Sequence, residues 1–446
     1  MGPLPTLPHK LLHFITRSAS CPPKAIAPST QLPRLLLPMN FNVRHSTTSP
    51  ILPFDIITLI IDIVGENQDK NLLKELALVS HYFLQICSKH LFATVELHAS
   101  SKKGFVKLVK SRPDVVKYIR NLTYKVNSHN NDDDHLLSPI LSNFLPSISR
   151  LKRLTITVLP INISPASPFV DWNTLDSSLT SAFLHLMHLP TINNINLSFI
   201  RNVPLSVLTS SVNLLRLAIY SLTCFDPLED DGSPENLVET MPRIREFYTS
   251  KSPLLTTKLL HAKKPDGRPA FNFMDLRRLS MSFDDSEDER NIRYLLQNAK
   301  LLEKLHLSAL YGRSLVGLLS LSARTVKFLS LSVSLWDKSV FLGGICEELE
   351  AMAGDNMLET LYFEVSVVVD DDTEDFVGSI IQKVENVLVK PGWSGLRRVT
   401  FKLRIPYVRN KRNFCERLQS LPDKYLSHLS KLKSVTFNYS AYVFGI

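Results

Sequence analysis

The chain reads as an α+β protein, with a short three-helix module near the N-terminus and an irregular α/β solenoid filling the rest. Three observations carry this. Residues 51–98 place apolar side chains at three- and four-residue steps, the period of a helix. From Ile119 onward a six-position pattern, apolar-x-x-apolar-x-apolar, returns eleven times. The 446 residues are 44% hydrophobic and 21% charged, enough apolar material for a large core.

Residues 1–50 form a leader. They hold nine of the 27 prolines and show no regular period, so a disordered leader is expected. Residues 1–54 lack Asp and Glu, while Lys10, Arg17, Lys24, Arg34 and Arg44 supply five of the nine net positive charges. A basic, hydroxyl-bearing, acid-free segment also fits a mitochondrial transit peptide. A third reading makes Met39 the true start. The remaining net charge is too thin for a nucleic-acid partner, which needs basic residues gathered on one face.

The module spans residues 51–98. Leu52-Pro53 opens its first helix, where proline's missing N–H has no partner to lose. Ile56, Ile57, Ile60, Ile61 and Val64 follow at helical spacing, with Leu59 and Ile63 widening the face. Gly65 is expected to end the helix in a left-handed cap. Leu72, Leu76, Val79, Phe83 and Ile86 share a second helical face, interrupted where Ser80 can cap a new helix. Thr94-Val95-Glu96-Leu97 then reads as a strand. Helices this short are marginal alone, and a helix apolar around most of its girth needs cover on two sides. A partner protein or a following domain must supply one of them.

The ordered set Leu52-Pro53-x-Asp55-Ile56-Ile57, Ile60-Ile61-Asp62-Ile63-Val64 and Leu76-Ala77-Leu78-Val79-Ser80-x-Tyr82-Phe83 resembles the F-box, especially that of fungal F-box-like proteins. Lys89-His90-Leu91-Phe92 belongs to the same resemblance. Asp55 stands where the family usually has glutamate, and Phe83 where it often has tryptophan. The resemblance implies binding to a Skp-family adaptor, and through it to a cullin-based ubiquitin ligase, with the rest of the chain capturing an unknown target protein. Leu52, Pro53, Ile57, Ile60, Ile61, Leu76 and Phe83 are the expected adaptor contacts.

Residues 99–446 carry the repeats. Leu151-x-x-Leu154-x-Ile156, Leu214-x-x-Leu217-x-Ile219, Leu302-x-x-Leu305-x-Leu307 and Leu432-x-x-Val435-x-Phe437 are four of the eleven copies, which start 22 to 41 residues apart. The second half of each copy alternates as a strand does, and the interval leaves room for a helix or loop returning to the next strand. The array resembles an irregular leucine-rich repeat, with the usual asparagine mostly missing. Its first, fourth and sixth positions are expected in the core, and its third and fifth on the exposed face. Third positions include Arg153, Arg216, Arg278, Lys304, Arg398 and, in the last copy, Ser434. Fifth positions include Tyr248, His306 and Tyr362. Arg216, Tyr248, Arg278, Lys304, His306 and Tyr362 therefore form the expected target surface, suited to acidic or phosphorylated segments.

Little else reads as chemistry. The five cysteines lie far apart with no C-x-x-C pair, against a disulfide framework or zinc site. Neither a P-loop nor a dinucleotide fingerprint occurs, so no cofactor is expected. His185 and His188, three residues apart, lack a third ligand nearby. The acidic runs at 132–134, 284–289 and 370–375 lack calcium-loop spacing and are expected to be solvated loops. The most apolar stretch, 51–64, is broken by Asp55 and Asp62, so no membrane span is expected. The combined reading is a non-catalytic ligase adaptor of the cytoplasm or nucleus. A repeat-based scaffold without ligase association and an organellar enzyme are the alternatives.

Overall fold

The structure, a computed structural model, describes residues 53–67, 69–127, 139–159, 169–209, 211–223, 241–264, 266–310, 315–335, 344–367, 373–405 and 411–443. The leader, Leu52 and the acidic run at 132–134 lie outside these residues. The described chain falls into two compact units, 53–93 and 94–443. Among the described residues no helix is long and apolar enough to cross a membrane.

The first unit is three helices, α1 (Phe54–Glu66), α2 (Lys70–Ala77) and α3 (His81–Leu91). Pro53 sits just before α1, and Asp55 lies in its first turn, where a negative charge suits the helix dipole. The Asp69 side chain accepts from Leu72 N–H and that of Ser80 from Phe83 N–H, so each later helix begins on a side-chain cap. Ile61, Leu73 and Cys87 form a small core, ringed by Ile57, Val64, Leu76, Phe83 and Ile86.

Gly65 departs from expectation. It lies inside α1 rather than ending it. A Cβ there would come within 2.2 Å of the His90 ring, which is held in place by a 2.7 Å contact to Asp62. The glycine therefore serves close approach between α1 and α3, not a left-handed turn.

The second unit is mixed α/β, built on one twelve-stranded parallel sheet that does not close into a barrel. Its strands begin with β1 (Thr94–Leu97), β2 (Asn121–Asn127) and β3 (Arg153–Leu159). Two short strands, β4 (Val170–Asp171) and β6 (Ile200–Arg201), pair with each other beside β5 (Asn194–Ser198). The main sheet continues through β7 (Arg216–Tyr220), β8 (Glu246–Ser250), β9 (Arg278–Phe283) and β10 (Lys304–Leu310). It ends with β11 (Phe328–Leu335), β12 (Thr360–Val367), β13 (Arg398–Ile405) and β14 (Thr436–Val443). Strand order follows chain order throughout, without the reversal of a doubly wound sheet.

Thr94–Leu97 thus belongs with the sheet, not with the helical module as residues 51–98 implied. Its backbone groups need β2 as a partner.

Burial explains the repeat. Leu214, Leu217 and Ile219 are fully buried, as are their counterparts Leu151, Leu154 and Ile156. Alternate strand residues are mostly polar, as Arg153, Thr155 and Thr157 are on β3, with Ala218 and Phe328 as exceptions. The last copy is displaced by two residues: Arg398 pairs with Thr436, so Thr436 rather than Ser434 occupies the third position.

Buried carboxylates tie neighbouring crossovers together. Glu348, on the helix Ile345–Met352, accepts from the N–H groups of Gly317, Leu319 and Ser320. Glu385 accepts from His428 N–H and Leu429 N–H, both at 2.9 Å. Each satisfies donors that a short helical turn leaves without internal partners.

The acidic run at 284–289 is another correction, because it starts the helix Ser286–Asn298 rather than forming a solvated loop. Asp285 caps that helix and Asp288 is 3% exposed. Burial and the nearby Asp285 and Asp284 charges raise the Asp288 carboxyl to about 6. Of the run at 370–375, residues 370–372 lie outside the described chain and Thr373 begins a helix.

Candidate functional site

Two surfaces stand out, one on each unit. On the first, Ile56, Leu59, Ile60 and Ile63 are 40%, 56%, 46% and 51% exposed. Their spacing puts them on one face of α1. That face lies away from Ile61, which is 1% exposed and belongs to the core. Phe54 is a further exposed apolar side chain at the start of α1, its ring tilted at 60° against that of Tyr82 with 4.6 Å between centroids. Leu78 and Val79 add two exposed apolar side chains between α2 and α3.

The expected adaptor contacts divide accordingly. Ile60 and Pro53 are exposed, Ile57, Leu76 and Phe83 are half-buried around the module's core, and Ile61 is inside it. Ile61 is therefore a fold residue, not a contact. Leu52 lies outside the described residues. Leu59 and Ile63, which were not among the expected contacts, are exposed on the same face as Ile60. Both stood in the apolar run, but a helix apolar nearly all round does not reveal from sequence which side its neighbours cover.

The second surface is the polar face of the sheet. Registration brings Arg153, Asn194, Arg216, Glu246, Arg278 and Lys304 into one cross-strand row from β3 to β10. Neighbouring members of such a row stand about 4.8 Å apart. Arg216, Arg278 and Lys304 thus lie in one row, with Glu246 between the two arginines, and Tyr248 stands in the next row. His306 sits one row over, and Tyr362 lies two strands beyond it.

Their electrostatics differ from the expectation of open cations. Glu246 receives Arg216 at 3.3 Å and Arg278 at 3.2 Å, and the Tyr248 hydroxyl donates to it at 3.1 Å. Arg216 also lies 4.5 Å over the Tyr248 ring. Burial, then the Glu246 charge and hydrogen bond, push the Tyr248 phenol up despite Arg216. One carboxylate thereby offsets part of two guanidinium charges. Lys304 is exposed and makes no ion pair among the described residues.

His306 contacts the Ser330 hydroxyl at 2.6 Å, and burial lowers its ring pKa against the opposing pull of Glu364. The Tyr362 hydroxyl donates to Glu364 at 2.7 Å, and Arg404 pairs with the same carboxylate at 2.5 Å. Burial and Glu364 together raise the Tyr362 phenol.

Beside Arg216 lies a cleft of about 320 Å³ lined by Arg153, Asn193, Asn194, Leu215, Arg216, Arg245 and Glu246. Arg153 and Arg245 are exposed and make no ion pair among the described residues. They are the cations still open to a ligand here. Arg245 escaped sequence reasoning because it occupies the second position of its copy; it lines the same cleft as Arg153 from three strands away. Among the described residues no three His, Cys, Asp or Glu side chains gather as a metal site. No protein-family model matches the chain, and a search of curated proteins finds no significant relative.

Proposed function

We propose that the chain is a substrate-recognition subunit of a Skp–cullin–F-box ubiquitin ligase, non-catalytic itself and acting in the cytoplasm or nucleus. The observation that carries this reading is the apolar stripe of Ile56, Leu59, Ile60 and Ile63 on a helical unit whose core is complete without it. An exposed patch of that kind on a small helical unit calls for a protein partner. The F-box resemblance of Leu52 through Phe83 supplies the partner, a Skp-family adaptor, and through it a cullin.

The sheet supports the second half of the role. A single parallel sheet in chain order, with one face buried and one polar, fits a leucine-rich-repeat-like solenoid that offers its strands to a target. The cleft at Arg153 and Arg245 favours a target segment bearing carboxylate or phosphate groups.

Capture of the tagged full chain from cells tests both halves. Wild type is expected to bring down the adaptor and a cullin, and Leu59→Asp with Ile63→Asp to lose both. Arg153→Glu with Arg245→Glu should keep the adaptor and lose the other enriched proteins. Absence of adaptor and cullin from the wild-type capture defeats the ligase reading.

A further inference from the structure

The two ends of the twelve-stranded sheet are finished differently. The first edge strand, β1, is four residues long and carries Glu96, which pairs with Lys125 of β2. A short, charged edge is the usual protection against pairing with another chain. The last strand, β14, has no such protection. It runs for eight residues, Thr-Phe-Asn-Tyr-Ser-Ala-Tyr-Val, with no charge, proline or glycine. Every one of the eight is registered with β13 on one side, and no described strand lies on the other.

The core is also open at this end. Phe401 and Leu403 on β13 are 2% and 0% exposed, whereas Phe437, Tyr439 and Ala441 on β14 remain partly exposed. Thr436 N–H donates back to Arg397 C=O. In a parallel pair the two sides of a strand alternate residue by residue. The backbone groups of Phe437, Tyr439 and Ala441 therefore point to the unpaired side.

We propose that β14 pairs edge to edge with β14 of a second copy, antiparallel about a two-fold axis through Tyr439. Such an axis keeps the buried face of one sheet continuous with that of the other. It sets Phe437 opposite Ala441 of the second copy, a large side chain against a small one. Tyr439 meets Tyr439, and polar Asn438 meets polar Ser440 on the outer face. The residues whose N–H and C=O groups have no strand partner among the described residues are the ones this register turns toward each other. An uncharged strand raises no repulsion against its own copy, and a two-fold interface requires this self-complementarity. A foreign strand would leave these matches unexplained.

The experiment is light scattering of the full chain across micromolar concentrations, with Thr436→Glu/Tyr442→Glu as the variant. Across the proposed axis these two glutamates face each other. Within one chain they lie beside Arg398 and Arg404, so the variant keeps its fold. Wild type is expected at twice the chain mass and the variant at the chain mass, with unchanged circular dichroism. A monomeric wild type overturns the proposal, as does a folded variant that stays dimeric. Should the variant not fold, wild-type hydrogen exchange decides. Concentration-dependent protection of the Phe437, Tyr439 and Ala441 amides supports the pairing, and unprotected amides in the dimer overturn it.

Discussion

Ile60 and Ile61 are adjacent in sequence and opposite in role. Ile61→Asp puts a charge into the core with Leu73 and Cys87 and should unfold the helical unit. Ile60→Asp changes an exposed side chain and should leave amide protection in residues 53–93 intact by hydrogen exchange. Gly65→Ala should destabilise the same unit by about 1–3 kcal/mol, because the new methyl meets the His90 ring. His90→Ala in the same chain should recover part of that loss. The cap at Ser80 and the strand at Thr94 were readable from sequence because each rests on local chemistry. The role of Gly65 was not, because its cause lies on another helix.

Asp288 makes stability depend on pH. Its folded pKa, about 6, lies above its unfolded value near 3.8. The stabilisation from the buried neutral acid is complete below the unfolded value and is lost as pH rises through 6. Asp288→Asn should therefore flatten the stability profile between pH 4 and 7. With solvent screening allowed for, the effect is on the order of 1 kcal/mol. Denaturant titrations at those two pH values check it, and parallel profiles for variant and wild type would refute it.

At the scale of elements, the buried glutamates hold one crossover to the next. Glu348→Ala removes the acceptor for three backbone N–H groups and should cost about 2–4 kcal/mol in chemical denaturation. Glu348→Gln keeps one acceptor oxygen and should cost less. The strands themselves were legible, since a buried first position such as Leu302 or Leu358 precedes each alternating run. The register of β14 was not. Val435, Phe437, Tyr439 and Ala441 continue the alternation beyond one copy, so a two-residue shift fits the pattern equally well. The Glu246 bridge between Arg216 and Arg278 was hidden for a related reason. The row of third positions was visible, but their pairing into ion pairs depends on strand order and rotamer.

The whole molecule joins two units with separate cores, one of three helices and one of twelve parallel strands. Sequence made the division legible through the change from a helical to a repeating strand period, within a few residues of Ala93. It could not sort the apolar residues of α1 into core and surface, and that sorting decides where an adaptor would bind. The most direct measurement is calorimetric titration of a purified Skp-family adaptor into the full chain and into Ile60→Asp/Ile63→Asp, with hydrogen exchange confirming that the helical unit is folded. Wild type should bind, and the variant should lose about 100-fold or more in affinity, as expected when two interface anchors are charged. No binding by wild type, or equal binding by the folded variant, would contradict the account.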